Sequence, residues 1–251
     1  MTLMKKTILI VGGAGTIGSA VARLASEHGG RVLIWDRDVT AIRDLAAHNK
    51  WTLHQVDVTR EEEVCAAFNR LVAAGSLPDI VVNAAGIFTH LRPLASLALA
   101  DFQEVMGTNL ASVFLCCREA IRHCGNNLML INISSSLSQK PIAMAAAYAA
   151  SKAAIDSLTR SIAIEYGARG VRAVAINPGP VEGRMLDQGL AQMARSLGAP
   201  NEVIMEKIIE GLPTGKVVKA DEIAALAIFL AGRAADSING QTINLDGGFA
   251  V

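Results

Sequence analysis

The sequence predicts an α/β protein: one parallel, doubly wound sheet with helices on both faces, forming a single domain. Three observations predict it. Short apolar runs alternate with helical stretches from one end of the 251 residues to the other. The first apolar run meets a glycine-rich turn, Gly12-Gly13-Ala14-Gly15-Thr16-Ile17-Gly18, and a helical pattern follows it. Composition agrees: 51% of residues are hydrophobic and only 4% aromatic, so small and branched aliphatics dominate, as in strands buried on both faces. The right-handed crossover rule then places helices on both sides of the sheet.

The elements follow in order. Thr7 to Val11 reads as a strand, and a helix follows the glycine turn to about His28. Arg31 to Trp35 is a second strand ending at Asp36, with a helical stretch over 38–48. Trp51 to Val56 is a third strand ending at Asp57. Thr59, with Glu62 three residues on, resembles a capping box for a helix reaching Ala73. Asp79 to Val82 is a fourth strand running into Asn83-Ala84-Ala85-Gly86, followed by a long helix from Asp101 to His123. Asn126 to Ile133 is a fifth strand, and residues 145–168 form an alanine-rich helix. Val171 to Ile176 is a sixth strand, stopped by Asn177-Pro178-Gly179-Pro180. A helix over 220–231 and a strand from Gln241 to Leu245 close the chain before Asp246-Gly247-Gly248. No linker, repeat or low-complexity segment divides it.

Formal net charge is zero and there is no basic block, which argues against a nucleic-acid or anionic-membrane surface. No apolar run approaches the roughly 18 residues of a membrane span. The opening Met-Thr-Leu-Met-Lys-Lys runs straight into a strand and does not read as a signal peptide. Cys65, Cys116, Cys117 and Cys124 form no C-x-x-C pair and read as reduced thiols, which points to the cytoplasm. The five histidines show no ligand spacing, so no metal site is expected.

Two stretches carry chemistry. Tyr148 and Lys152 are four residues apart on the alanine-rich helix and so share one face. A cation beside a phenol favours the phenolate, making the pair a candidate general acid/base for an alcohol or carbonyl. The glycine turn suits a dinucleotide: glycines allow close backbone approach, and the helix N-terminus favours the pyrophosphate. Asp36, at the end of the next strand, can accept hydrogen bonds from both adenosine ribose hydroxyls and would repel a 2′-phosphate. No lysine or arginine lies between Gly12 and Gly18, and Arg37 is the one nearby cation. The expected cofactor is NAD.

Together these motifs resemble the short, single-domain branch of the short-chain dehydrogenase/reductase family, whose domain is Rossmann-type. The resemblance spans the chain: Gly12 to Gly18, Asp57-Val58, Asn83 to Gly86, Asn109, Ser135, Tyr148 to Lys152, Asn177-Pro178-Gly179 and Asp246-Gly247-Gly248. It implies that Tyr148 is the general acid/base and that Lys152 binds the nicotinamide ribose and lowers the tyrosine pKa. Ser135 would orient the substrate oxygen, and Asn109 would hold a water in a proton relay. The cofactor set comprises Gly12, Gly15, Thr16, Ile17, Gly18, Asp36, Arg37, Asp57, Val58, Asn83, Ala84, Ala85, Gly86, Pro178, Gly179 and Val181, with Tyr148 and Lys152. Ser134 should point away from Ser135, as alternate strand residues do, while Ser136 is a candidate for the substrate pocket wall.

Two positions depart from the family pattern. Thr16 stands where a second glycine is usual. Gly183 stands where a threonine often supplies a hydroxyl to the nicotinamide carboxamide, so Gly183→Thr is expected to tighten NAD binding by about one hydrogen bond, ~1 kcal/mol.

The implied reaction is hydride transfer between NAD and a secondary alcohol or its ketone: a polyol, sugar, hydroxy acid or cyclic alcohol. A reductase of 3-oxoacyl thioesters and a non-catalytic dinucleotide-binding protein are the rivals. Residues 184–212 read as a small helical lid, with apolar spacing at Leu186, Leu190, Met193 and Leu197. Phe88, His90, Arg92, Lys140, Arg184 and Arg195 are candidates at the pocket, His90 and Arg184 foremost. The resemblance implies a homo-oligomer, a tetramer ahead of a dimer, through the two central helices, with Leu110, Val113, Phe114 and Cys117 as one face.

Overall fold

The computed structural model describes residues 3–251; Met1 and Thr2, the start of the expected leaderless N-terminus, lie outside the described residues. The strands are β1 (Thr7–Val11), β2 (Arg31–Asp36), β3 (Thr52–Gln55), β4 (Ile80–Asn83), β5 (Met129–Ile133), β6 (Arg172–Pro178) and β7 (Thr242–Leu245). All pair in parallel in one sheet, ordered β3-β2-β1-β4-β5-β6-β7. The helices are α1 (Thr16–Glu27), α2 (Arg43–Asn49), α3 (Glu61–Ala73), α4 (Leu99–Met106), α5 (Ser112–His123), α6 (Ala146–Tyr166), α7 (Arg184–Leu197), α8 (Asn201–Glu210) and α9 (Ala220–Ala231).

Strand alternation splits the core into two layers. Ile8, Ile10, Val32 and Ile34 face one side, where α1 and α9 cover them with Val21, Ala22, Ile223 and Ala227. Leu9, Val11, Leu33 and Trp35 face the other, under Phe68 of α3, Cys116 and Cys117 of α5, and Ile155 of α6. Trp35 meets Phe68 edge to face at 5.0 Å. The order reverses between β1 and β4, which opens a crevice at their carboxyl ends, where ligands of doubly wound sheets bind.

Two local expectations are corrected. Thr59 does not cap α3: its hydroxyl donates to Asp57 Oδ1 at 2.7 Å, and the helix begins beyond Arg60 without a side-chain cap. Asp57 outcompetes the helix for Thr59, and three glutamates in the first turn complement the helix dipole instead. The single helix expected over 101–123 is α4 and α5 joined by a π turn, Gly107–Ala111, which contains Asn109. Among the described residues no helix is long and apolar enough to cross a membrane.

Candidate active site

The crevice is built by close backbone approach. Gly12 follows β1 with φ +75°, and a Cβ there would lie 2.5 Å from the Ala85 nitrogen beyond β4. No other residue fits that turn. α1 starts immediately after Gly15, with no side-chain cap and no acidic residue in its first turn, so its N-terminal N–H groups suit an anion. Asp36 ends β2 with Oδ2 accepting the Ala14 N–H at 3.0 Å and Oδ1 accepting that of Asp38 at 3.2 Å. Arg37 is exposed, and its charge acts on Asp57. Burial opposes ionisation of Asp57, but the Thr59 hydrogen bonds and the nearby arginines outweigh it and hold its pKa below the usual value. Val58 is buried beside it. These residues fit a dinucleotide: an uncapped helix end for phosphate, a glycine turn open to close approach, and a carboxylate at the second strand's end.

Asn83 turns its side chain away from the crevice. Its Nδ2 donates to Asn132 Oδ1 at 2.8 Å, inside the sheet, while its Oδ1 is buried without a partner. Ala84 and Gly86 continue the loop, and a Cβ on Gly86 would lie 3.2 Å from Asn109 Oδ1 and 3.5 Å from Lys152 Nζ. Asn109 and Lys152 thus flank Gly86. Asn109 holds this loop through both atoms of its amide: Oδ1 accepts the Ile87 N–H at 2.8 Å, and Nδ2 donates to Ile87 O at 3.1 Å and to Ser151 Oγ at 3.0 Å.

Tyr148 and Lys152 lie one turn apart on α6, both buried. The Lys152 ammonium donates to the Ile133 carbonyl at 2.9 Å and stands 5.5 Å from the Tyr148 ring centroid. Burial lowers Lys152 to about 8, and the Asp156 carboxylate partly offsets this. Burial pushes the Tyr148 phenol up to about 12, against the lowering effect of a hydrogen bond with Ser135. The spacing alone points to a lowered tyrosine; desolvation reverses the direction because the cation is spent on a carbonyl and sits over the ring rather than at the phenol oxygen. Ser134 faces away as expected, donating to the Lys152 carbonyl at 2.9 Å. Ser136 is buried in the turn after Ser135.

The region over Tyr148 is apolar. Phe88 meets its ring edge to face at 4.7 Å, and a Cβ on Gly189 of α7 would lie 2.7 Å from Phe88. Leu190, Met193 and Ile204 of α7 and α8 pack with Leu91, Leu137, Ile142 and Met144. The polar candidates lie elsewhere. His90 is held by Glu104 at 2.9 Å and Asp101 at 3.5 Å, with Arg92 3.7 Å from Asp101. Lys140 donates to Phe249 O at 2.7 Å. Arg184 is exposed on the first turn of α7, with a charge that reaches Asp38 near Asp36. Pro178 ends β6, Gly179 packs on Asp246, and Val181 pairs with Val218, pinning both ends of the α7–α8 segment.

Known proteins are similar to this chain in sequence and fold. The sequence profile of the enoyl-(acyl carrier protein) reductase family matches residues 12–250. The chain belongs to the short-chain dehydrogenase/reductase family. It is 32% identical to cis-4-hydroxycyclohexanecarboxylate dehydrogenase of Sinomonas cyclohexanicum, over 98% of this chain and 96% of that one. It is 31% identical to D-threitol dehydrogenase of Mycolicibacterium smegmatis, over 98% and 93%. The crystal structure of 3-ketoacyl-(acyl-carrier-protein) reductase from Brucella melitensis, complexed with NADH, superposes with a TM-score of 0.90 at 27% identity, covering all of both chains. Membership makes this short-chain dehydrogenase/reductase an oxidoreductase of alcohols that binds a nicotinamide cofactor.

Gly183, one of the two departures from the family pattern, is closely approached by Thr16. Gly183 has φ +127°, and a Cβ there would lie 2.8 Å from Thr16 Oγ1 and 3.1 Å from Thr16 Cγ2. A threonine at 183 would press on the Thr16 side chain in a backbone conformation that side chains disfavour, which weighs against the expected tightening of NAD binding. Sequence reading also missed Asp156, buried with Oδ2 accepting from Ser138 Oγ at 2.6 Å and Asn177 Nδ2 at 3.2 Å. Its position one turn beyond Lys152 was the available signal.

Proposed function

We propose that the protein is an NAD-dependent dehydrogenase of secondary alcohols, acting reversibly on a carbocyclic or other largely apolar CH–OH substrate. The observation that carries the reading is the buried Tyr148, one helical turn from the buried Lys152 on α6 and met edge to face by Phe88, on which Gly189 of α7 packs. When bound, NAD supplies the hydride acceptor. Tyr148 takes the hydroxyl proton at its phenol oxygen, Ser135 orients and stabilises the substrate oxygen, and Lys152 favours the phenolate once its ammonium turns from Ile133 O. Asn109 fixes the loop across Gly86 and marks the proton exit. The α7–α8 segment excludes water as a lid, and Ser136 forms part of the pocket wall. Asp36 supports NAD over NADP. His90 is bound to Asp101 and Glu104 and we place it at the rim; Arg184, near Asp38, belongs to the cofactor side rather than the substrate.

The apolar residues that pack around Phe88 and Tyr148 support cyclic alcohols over polyols, in line with the cyclohexane-ring substrate in the name of the Sinomonas relative. Reduction of a 3-oxoacyl thioester is the second reading, supported by the family profile and the Brucella structure. Cofactor reduction is measured with NAD and NADP over cyclic alcohols, polyols, sugars and hydroxy acids, and NADH oxidation with an acetoacetyl thioester. Turnover of cyclic alcohols with NAD is expected; turnover of the thioester alone would replace the first reading with the second. Tyr148→Phe should lower kcat by at least ~10³-fold while sparing NAD binding, and an active variant would remove Tyr148 from the chemistry.

A further inference from the structure

The two departures from the family pattern touch each other. Thr16 is the first residue of α1 and Gly183 immediately precedes α7, so the glycine turn and the lid meet at this pair. Thr16 is exposed in the crevice, and its hydroxyl lies 2.8 Å from the point where a Cβ on residue 183 would begin. Its hydroxyl and methyl therefore fill the space into which any side chain at 183 would project. Gly183, at φ +127°, holds a conformation open to glycine and poor for threonine. A polar group is thus present at this point, but it comes from the turn rather than from the lid.

Resting on the dinucleotide reading of the crevice, we propose that Thr16 and Gly183 form an exchanged pair: Thr16 supplies, from the floor of the crevice, the hydroxyl contact to the nicotinamide half of the cofactor, and Gly183 is glycine because Thr16 occupies its side-chain space. The two positions act as one site filled from the opposite side. Thr16 is then a positioning residue for the nicotinamide end, and the lid's first residue is matched to it.

The test is calorimetric titration of NAD and of ADP-ribose, which lacks the nicotinamide, into the full-length protein and its variants. Thermal unfolding of each cofactor-free variant checks the fold. Thr16→Val, nearly isosteric, should weaken NAD roughly five- to tenfold and ADP-ribose less than about twofold, while Thr16→Ser stays within about twofold of wild type for both. Gly183→Thr alone should weaken NAD by roughly tenfold or more. Thr16→Gly with Gly183→Thr should recover at least about threefold of that loss, because removing the Thr16 side chain empties the space that a side chain at 183 needs. Gly183→Thr binding as tightly as wild type, additive effects in the double variant, or equal losses of NAD and ADP-ribose in Thr16→Val would each overturn the pair. If the wild-type protein binds neither NAD nor NADP, it is the dinucleotide reading that falls.

Discussion

At the scale of single residues, desolvation sets the character of the site. Lys152 falls from 10.5 to about 8 because burial disfavours its charge. Between those values the unfolded chain binds more protons than the folded one, so stability rises with pH across this window. The gain is on the order of 3 kcal/mol, absent below pH ~8 and complete above ~10.5. Tyr148 acts oppositely, its raised pKa costing stability as pH climbs from 10 to about 12. Lys152→Met should flatten the rise: urea midpoints at pH 7 and 10 should differ in wild type and converge in the variant. Equal pH responses of the two proteins would show that Lys152 is not depressed. Asp36 makes a second residue-scale prediction. With the adenosine ribose placed at the end of β2, as the NAD proposal has it, Asp36→Asn should shift the NAD-to-NADP ratio of kcat/KM toward NADP by roughly tenfold, about 1.4 kcal/mol, and an unchanged ratio would remove Asp36 as the discriminator.

At the scale of elements, the break between α4 and α5 matters most. The π turn offsets Asn109 so that its amide reaches the Ile87 backbone and Ser151 together. Hydrophobic spacing does not register one extra residue in a turn, which is why the sequence reads as a single helix. The packing of α7 was likewise legible only in part. Leu186, Leu190 and Met193 mark its apolar face, yet Gly189 makes the tight contact on Phe88. Gly189→Ala should push α7 outward and raise KM for the alcohol several-fold with little change in NAD affinity. Adding Phe88→Leu should relieve the defect. A Gly189→Ala enzyme with wild-type KM would mean that this contact does not shape the pocket.

At the scale of the whole molecule, the two-layered sheet is what the sequence shows most plainly. Only Phe114 of the four residues proposed for an oligomer face is substantially exposed. Val113 and Cys117 belong to the core, and Leu110 is half-buried. Phe114 instead lies under the Arg118 guanidinium, 5.3 Å from its ring centroid, and Ile164 of α6 is 84% exposed. We expect a homotetramer, about four times the 26.3 kDa chain by light scattering. With exposed Ile164 placed in the proposed contact, Ile164→Glu should reduce that mass by putting a charge there; a variant of unchanged mass would move the interface off this part of α6.

The sequence by itself determined what is local or periodic. Alternating apolar runs specify strands and helices, the glycine turn specifies a close backbone approach, and a four-residue interval puts Tyr148 and Lys152 on one face. Tertiary structure alone decided what depends on residues distant along the chain. Packing of the helices on the sheet brings Asp156 to Ser138 and Asn177, and seats Thr16 against Gly183. It also buries Tyr148 deeply enough that desolvation, rather than its lysine neighbour, sets the direction of its pKa. Spacing carries direction along one element, but the distance across a crevice and the loss of water from a side chain exist only once the elements have packed.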